Sequence, residues 1–313
     1  MEEARKLTNK RIIMYLAITF VLTYVMEFFM VTPMVKSTDA AIAAQGQSLV
    51  ATMMFIPALG ALLTRVITKE RFTGRNLMLA LHLKENVKYY ALAWLGIAAM
   101  SLVGTTVYFL IFRNQFDPNM GILMEVYKNA GVEMTAEQVR TGLLVQMGIS
   151  IVLAPLLNIV NCFGEEWGWR GYLLPKMLER FKIVPTLLIC GVIWGLWHAP
   201  LTMLGHNYGV DYWGFPVVGI IAMCLFCIVM GIIFSYVTIK TKSCIPAIFA
   251  HGMLNGFSSF GVYFATADYS NNPGNVFLGP GATGLIGGVA FMIVAILLVL
   301  KLAREEKEKR IYI

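Results

Sequence analysis

Eight runs of apolar residues, each near the ~20 residues that cross the hydrocarbon core of a bilayer, limit what this chain can become. They fall at roughly 12–31, 48–64, 89–112, 143–163, 183–204, 215–239, 244–265 and 284–300. Lipid offers backbone N–H and C=O groups no partners, so segments of this kind satisfy themselves as helices. The expected fold is therefore all-α: a polytopic membrane helical bundle of about eight transmembrane helices, in a single integral-membrane domain over residues 1–313. No internal repeat, low-complexity tract or second soluble domain interrupts the pattern. With 58% hydrophobic and 14% charged residues, the chain lies outside the soluble globular range.

A net charge of +7 could suggest nucleic acid, but its distribution argues against that partner. All but four of the 25 Lys and Arg residues lie in alternate short connections or at the two ends, the exceptions being Lys36, Arg113, Lys128 and Arg140. By the positive-inside rule this puts both termini in the cytoplasm. The long external segment 113–142 contains Thr135-Ala136-Glu137-Gln138, which fits a capping box, so the fourth helix is expected to begin ahead of the membrane. Residues 271–281, rich in Gly, Pro and Asn, read as an external turn, and 304–310 as a charged, solvated helix end. The cysteines Cys162, Cys190, Cys224, Cys227 and Cys244 lie in or beside apolar runs and read as core residues, with no disulfide framework. The run 12–31 exceeds a signal-peptide core and reads as an uncleaved anchor, although 41–44 offers small residues resembling a cleavage site.

Against this apolar background, 163–172 (FGEEWGWRGY) stands out. Ionisable side chains at bilayer depth are expensive, and so are functional candidates. On a helix, Glu166 and Arg170 are four apart and can pair, while Glu165 points about 100° away from Glu166. One acid held by a cation, with another left free, suits acid/base chemistry. His198 lies in Trp194-Gly195-Leu196-Trp197-His198-Ala199-Pro200. His251 shares a helix face with Asn255 in the seventh run. Buried imidazoles and amides need partners. Interhelical hydrogen bonding would supply them, but two histidines, an asparagine and a Glu-Glu pair on separate spans point to a site. Glycines around these groups, Gly164, Gly168, Gly191, Gly195, Gly252 and Gly256 among them, would let the helices converge. His82 and His206 read as surface or loop residues, Glu27 as an interfacial or packing acid, and Trp194, Trp197, Trp167 and Trp169 as packing.

A carboxylate and an imidazole sharing a water can deliver hydroxide to a carbonyl, and a second imidazole with an amide can stabilise the oxyanion. The same Glu165, His198 and His251 could instead hold Zn2+ with a water in the fourth position. No H-E-x-x-H or G-x-S-x-G occurs. A non-catalytic immunity or binding protein, or a proton-coupled carrier, could use the same acid/His cluster.

Taken in order, Glu165-Glu166-x-x-x-Arg170, the aromatic-x-x-x-His ending at His198, and His251-x-x-x-Asn255 resemble the three motifs of the CPBP family. This family comprises the CAAX-protease, bacteriocin-processing and abortive-infection-type intramembrane enzymes. The resemblance covers a core at about 143–260. It departs from the family's commoner residues at Trp194, which stands in place of Phe, and at the Trp167-Gly168-Trp169 filling. The resemblance implies an intramembrane endopeptidase in which Glu165 and His198 activate water, His251 and Asn255 stabilise the oxyanion, and Glu166 with Arg170 braces the site. It implies a membrane-associated protein or peptide as substrate, the lipid bilayer as surroundings, and a multi-pass location leaning to a bacterial cytoplasmic membrane. Metalloprotease and metal-free mechanisms, the substrate's identity and the oligomeric state stay open.

Overall fold

The structure, a computed structural model, describes residues 2–266, 269 and 276–309. Five residues of the turn expected at 271–281, and Arg310 of the tail, lie outside the described residues. Among those described there is no strand, only one isolated bridge between Phe116 and Ala265. Ten helices build the bundle: α1 (Glu2–Val35), α2 (Ala40–Met53), α3 (Ile56–Ile67), α4 (Leu83–Ile111), α5 (Ala136–Leu157), α6 (Ile159–Gly168), α7 (Ile183–Trp197), α8 (Val217–Thr241), α9 (Ile245–Phe257) and α10 (Val289–Lys307). The expected all-α fold is what is found.

Each apolar run contains helix, although the run 284–300 turns helical only at Val289, and among the described residues four helices (α1, α4, α5 and α8) are long and apolar enough to cross a membrane. Counting the bent pair α2–α3 as one span makes five. The helices that carry the polar motifs are the short ones. α7 has 15 residues and α9 has 13. The run 143–163 breaks between Leu157 and Ile159. α2 and α3 meet at 45° next to Pro57. The capping box forms as expected: Gln138 N donates to Thr135 Oγ1 and Thr135 N to Gln138 Oε1, and α5 starts at Ala136.

Two prolines in the bundle free carbonyls that neighbouring helices then satisfy. Pro155, inside α5, has no N–H for the carbonyl of Ile151, which receives the Trp94 indole N–H at 2.6 Å. Pro200 likewise withdraws from Leu196, whose carbonyl receives the Tyr24 hydroxyl at 2.7 Å. These contacts tie α4 to α5 and α1 to α7, as expected where no water can fill the gap.

Glycines set the helix spacing around the site. A methyl on Gly195 of α7 would lie 2.4 Å from the Cys224 Cα of α8, and one on Gly168 would lie 2.5 Å from the backbone of Pro57. Gly195→Ala is therefore expected to destabilise the protein by about 1–3 kcal/mol. It should also lower activity, because Trp194 and His198 ride on the same helix. A thermal midpoint in detergent, measured beside a turnover assay, checks both effects; an unchanged midpoint would mean that α7 and α8 are not in contact.

The basic segments gather at one end of the bundle. Glu70, after α3, receives Lys176 Nζ at 2.8 Å, Arg11 Nε at 3.4 Å and Arg65 Nη1 at 3.6 Å, with the Tyr172 hydroxyl at 3.2 Å. Thr8 donates to Glu179, Glu306 accepts from the backbone of Ile183, and Lys240 pairs with Glu305. Three of the cations that the sequence pattern assigns to loops are buried: Arg65 is 2% exposed, Arg170 4% and Lys176 9%. Burial pushes the Glu70 carboxyl up, but the Lys176 hydrogen bond and charge, with Arg65 and Arg11, outweigh it and hold the group below its ordinary value. A depressed folded-state pKa gives stability that is present above the unfolded value, about 4.3, and is lost as pH falls through the folded one. Glu70→Gln is thus expected to cost about 1.5–3 kcal/mol at pH 7 and to flatten the acid limb of the thermal midpoint against pH. An equally steep limb in the variant would assign that limb to other groups.

Candidate active site

The six residues singled out in the sequence converge on two adjoining arrangements, one closed and one open. The closed one is an ion cluster. α6 delivers Glu166 fully buried, and a π-turn at Trp169–Leu173 follows it directly. Within that turn Arg170 reaches back, Nη1 to Glu166 Oε1 at 2.9 Å, which is the expected i,i+4 pair. The same carboxylate oxygen receives His251 Nδ1 from α9 at 2.9 Å. The guanidinium lies 4.2 Å from the Trp194 ring and 5.2 Å from that of Phe234, contacts that favour a desolvated cation. Glu166 thus braces more than its own helix, because it also fixes the ring of His251.

The open arrangement lines a cavity of about 760 Å³, into which Glu165, His198, His251 and Asn255 all face. Trp194 organises it. Its indole N–H donates to Glu165 Oε2 at 2.7 Å, and its backbone carbonyl accepts from His198 Nδ1 at 2.9 Å. A carbonyl can only accept, so Nδ1 carries the proton and Nε2 of a neutral His198 is left with its lone pair. The Trp194 ring lies 5.8 Å from that of His198 and 5.6 Å from that of His251. His198 occupies the joint between α7 and the single turn Ala199–Thr202, held by Trp197 at 4.7 Å, whose own indole N–H is bound by Thr23. Asn255 is on the His251 face of α9, one turn on, with its Nδ2 3.7 Å from Cys162 Sγ.

Three side chains belong here that the sequence reading placed elsewhere. Trp194, read as packing, is the hydrogen-bond link between acid and imidazole. His206, read as a loop residue, stacks on His198 with ring centroids 6.2 Å apart and planes 5° from parallel. The loop is folded back by positive φ at Gly205, Asn207 and Gly209, and Gly-His-Asn-Tyr-Gly was the available signal for that turn. Glu27, read as an interfacial or packing acid, is 4% exposed and lines the same cavity. Trp167 keeps its packing role, donating to the Leu77 carbonyl. Among the described residues no three His, Cys, Asp or Glu side chains are grouped so as to hold a metal ion. Glu165, His198 and His251 therefore do not fit a zinc site as arranged.

Residues 147–257 match the family described as Rce1-like, Type II CAAX prenyl endopeptidase Rce1-like, and all six residues fall inside that segment. CAAX prenyl protease 2 of Methanococcus maripaludis is 32% identical over 92 residues, which is 29% of this chain and 34% of that protein. The chain thus matches about a third of the length of this curated relative. Together with the apolar helices, the match marks an integral, multi-pass membrane protein.

Proposed function

We propose that this chain, whose core at 147–257 matches the Rce1-like CAAX prenyl endopeptidase family, is an intramembrane endopeptidase that cleaves a membrane-associated protein or peptide. The observation that carries the reading is the double engagement of Trp194, which holds Glu165 by its indole and His198 by its carbonyl on one wall of the cavity. Glu165 takes a proton from a water whose other hydrogen is accepted by His198 Nε2, and the resulting hydroxide adds to the scissile carbonyl. The carbonyl pair moves to oxygen, where His251 Nε2–H and the Asn255 amide donate to it. Collapse expels the amine, which takes the proton from Glu165. With Glu165 and Glu166 ionised and Arg170 cationic, an imidazolium at His251 brings the buried group to zero net charge, as burial demands.

The chemistry is written without a metal, because the donors are not grouped as ligands. Purified protein in liposomes is expected to cleave members of a peptide library and to keep at least about half its rate in millimolar chelator. Loss of activity on chelation, with recovery on Zn2+ addition, would replace this mechanism with a metal-assisted one. The basic end of the bundle is read as cytoplasmic, with the enzyme in a bacterial cytoplasmic membrane; cysteine labelling at the exposed Lys6 and Arg304 in intact cells tests that orientation.

A further inference from the structure

Four carboxylates are buried among the described residues: Glu27, Glu70, Glu165 and Glu166. Three of them have donors. Glu70 has Lys176, Glu165 has the Trp194 indole, and Glu166 has Arg170 and His251. Glu27 has no donor among the described residues, and its Oε2 is sealed from solvent without a hydrogen-bond partner. It stands where α1 widens into the π-turn Glu27–Val31, the kind of one-residue insertion that recurs at functional sites. A carboxylate left without a partner at membrane depth is strongly disfavoured, and helix packing alone would not require one.

The position of Glu27 suggests what offsets that penalty. It lines the same cavity as Glu165 and His198, a cavity to which α1 contributes Glu27 and α2 contributes Gln47, Val50 and Met53. Among the described residues no Lys or Arg lines this cavity. None of the cavity's histidines, His198, His206 and His251, donates to Glu27, so a positive charge that reaches it arrives with whatever enters. Resting on the peptidase reading above, we propose that Glu27 receives a cationic nitrogen of the bound peptide, a Lys or Arg side chain near the scissile bond, and so determines substrate specificity. The first helix, outside the matched segment 147–257, would then select the substrate on which the core helices act. His206 and Asn207, from the folded-back loop, line the same space and add neutral polar groups to it.

The test uses full-length protein in liposomes and N-acetylated peptides in which one Lys is moved stepwise along a neutral sequence. A parallel set with free N-termini separates a side-chain ammonium from an α-amino group. Wild type is expected to prefer Lys over Gln at one position by at least about tenfold in kcat/KM, the scale of one close charge pair. Glu27→Gln should erase that preference, bringing the Lys-to-Gln ratio of kcat/KM to about one whatever its rate on the neutral parent, and Glu27→Lys should transfer the preference to Glu at the same position. A wild type with no positional preference for a cation, or a Glu27→Gln variant slowed equally on every peptide, overturns the assignment. A preference seen only with free N-termini moves the cation from a side chain to the chain end and also overturns it. If wild type cleaves no peptide at all, the peptidase reading fails first and this assignment goes with it.

Discussion

Glu165→Gln is expected to lower kcat for peptide cleavage by about 10³-fold, the range lost when a general base is removed, while the protein stays folded. The separation of the two effects follows from the geometry. A glutamine amide still offers an oxygen to the Trp194 indole, now 2.7 Å from Glu165 Oε2, so the link between α6 and α7 survives. The variant loses the capacity to take a proton. The carboxylate is 2% exposed beside the buried Glu166, so replacing it with a neutral group relieves like-charge repulsion, and the thermal midpoint should hold or rise. KM should change little, because the residue acts on water and not on the peptide. Trp194→Phe gives the complementary result. It keeps a ring beside Arg170 but removes the indole donor, and should cost about 10–10²-fold in kcat, since a loosened base is still a base. Full turnover by Glu165→Gln would leave the non-catalytic membrane protein as the better reading.

The residues assigned to this proposed chemistry were legible because membranes make polar side chains conspicuous. Glu165, Glu166, Arg170, His198, His251 and Asn255 could be named from an apolar background, and the Glu166–Arg170 pair followed from helical spacing alone. Partners across helices were not legible. Nothing local tells Glu166 that it will also hold His251, 85 positions further on, or that Trp194 will donate to Glu165. Aromatic residues misled for a related reason: an indole is apolar by area and polar at one atom, so Trp194 and Trp167 look alike in sequence and differ in role. Span length was the other weak point. Hydropathy marked eight runs, yet the helices bearing the motifs are 10–15 residues long. Prolines and polar groups near the site interrupt the helical ladder where hydropathy continues.

Arg170→Leu is expected to be the most destabilising single change, at about 3–5 kcal/mol. Arg170 and Glu166 are 4% and 0% exposed, and removing the cation strands a carboxylate whose Oε2 already has no donor. His251 alone would then have to balance Glu166, drawing its proton away from the cavity and its ring away from oxyanion duty. Activity should fall along with stability, through His251, although Arg170 itself does not line the cavity. Combining the change with Glu166→Gln separates the causes. The double variant removes both charges of the pair and should recover part of the lost stability, since it no longer strands a buried carboxylate without its cation. It should not recover turnover, because a glutamine oxygen cannot hold an imidazolium as a carboxylate does. A double variant as unstable as Arg170→Leu would mean that the arginine acts through its stacking on Trp194 and Phe234, with the ion pair secondary.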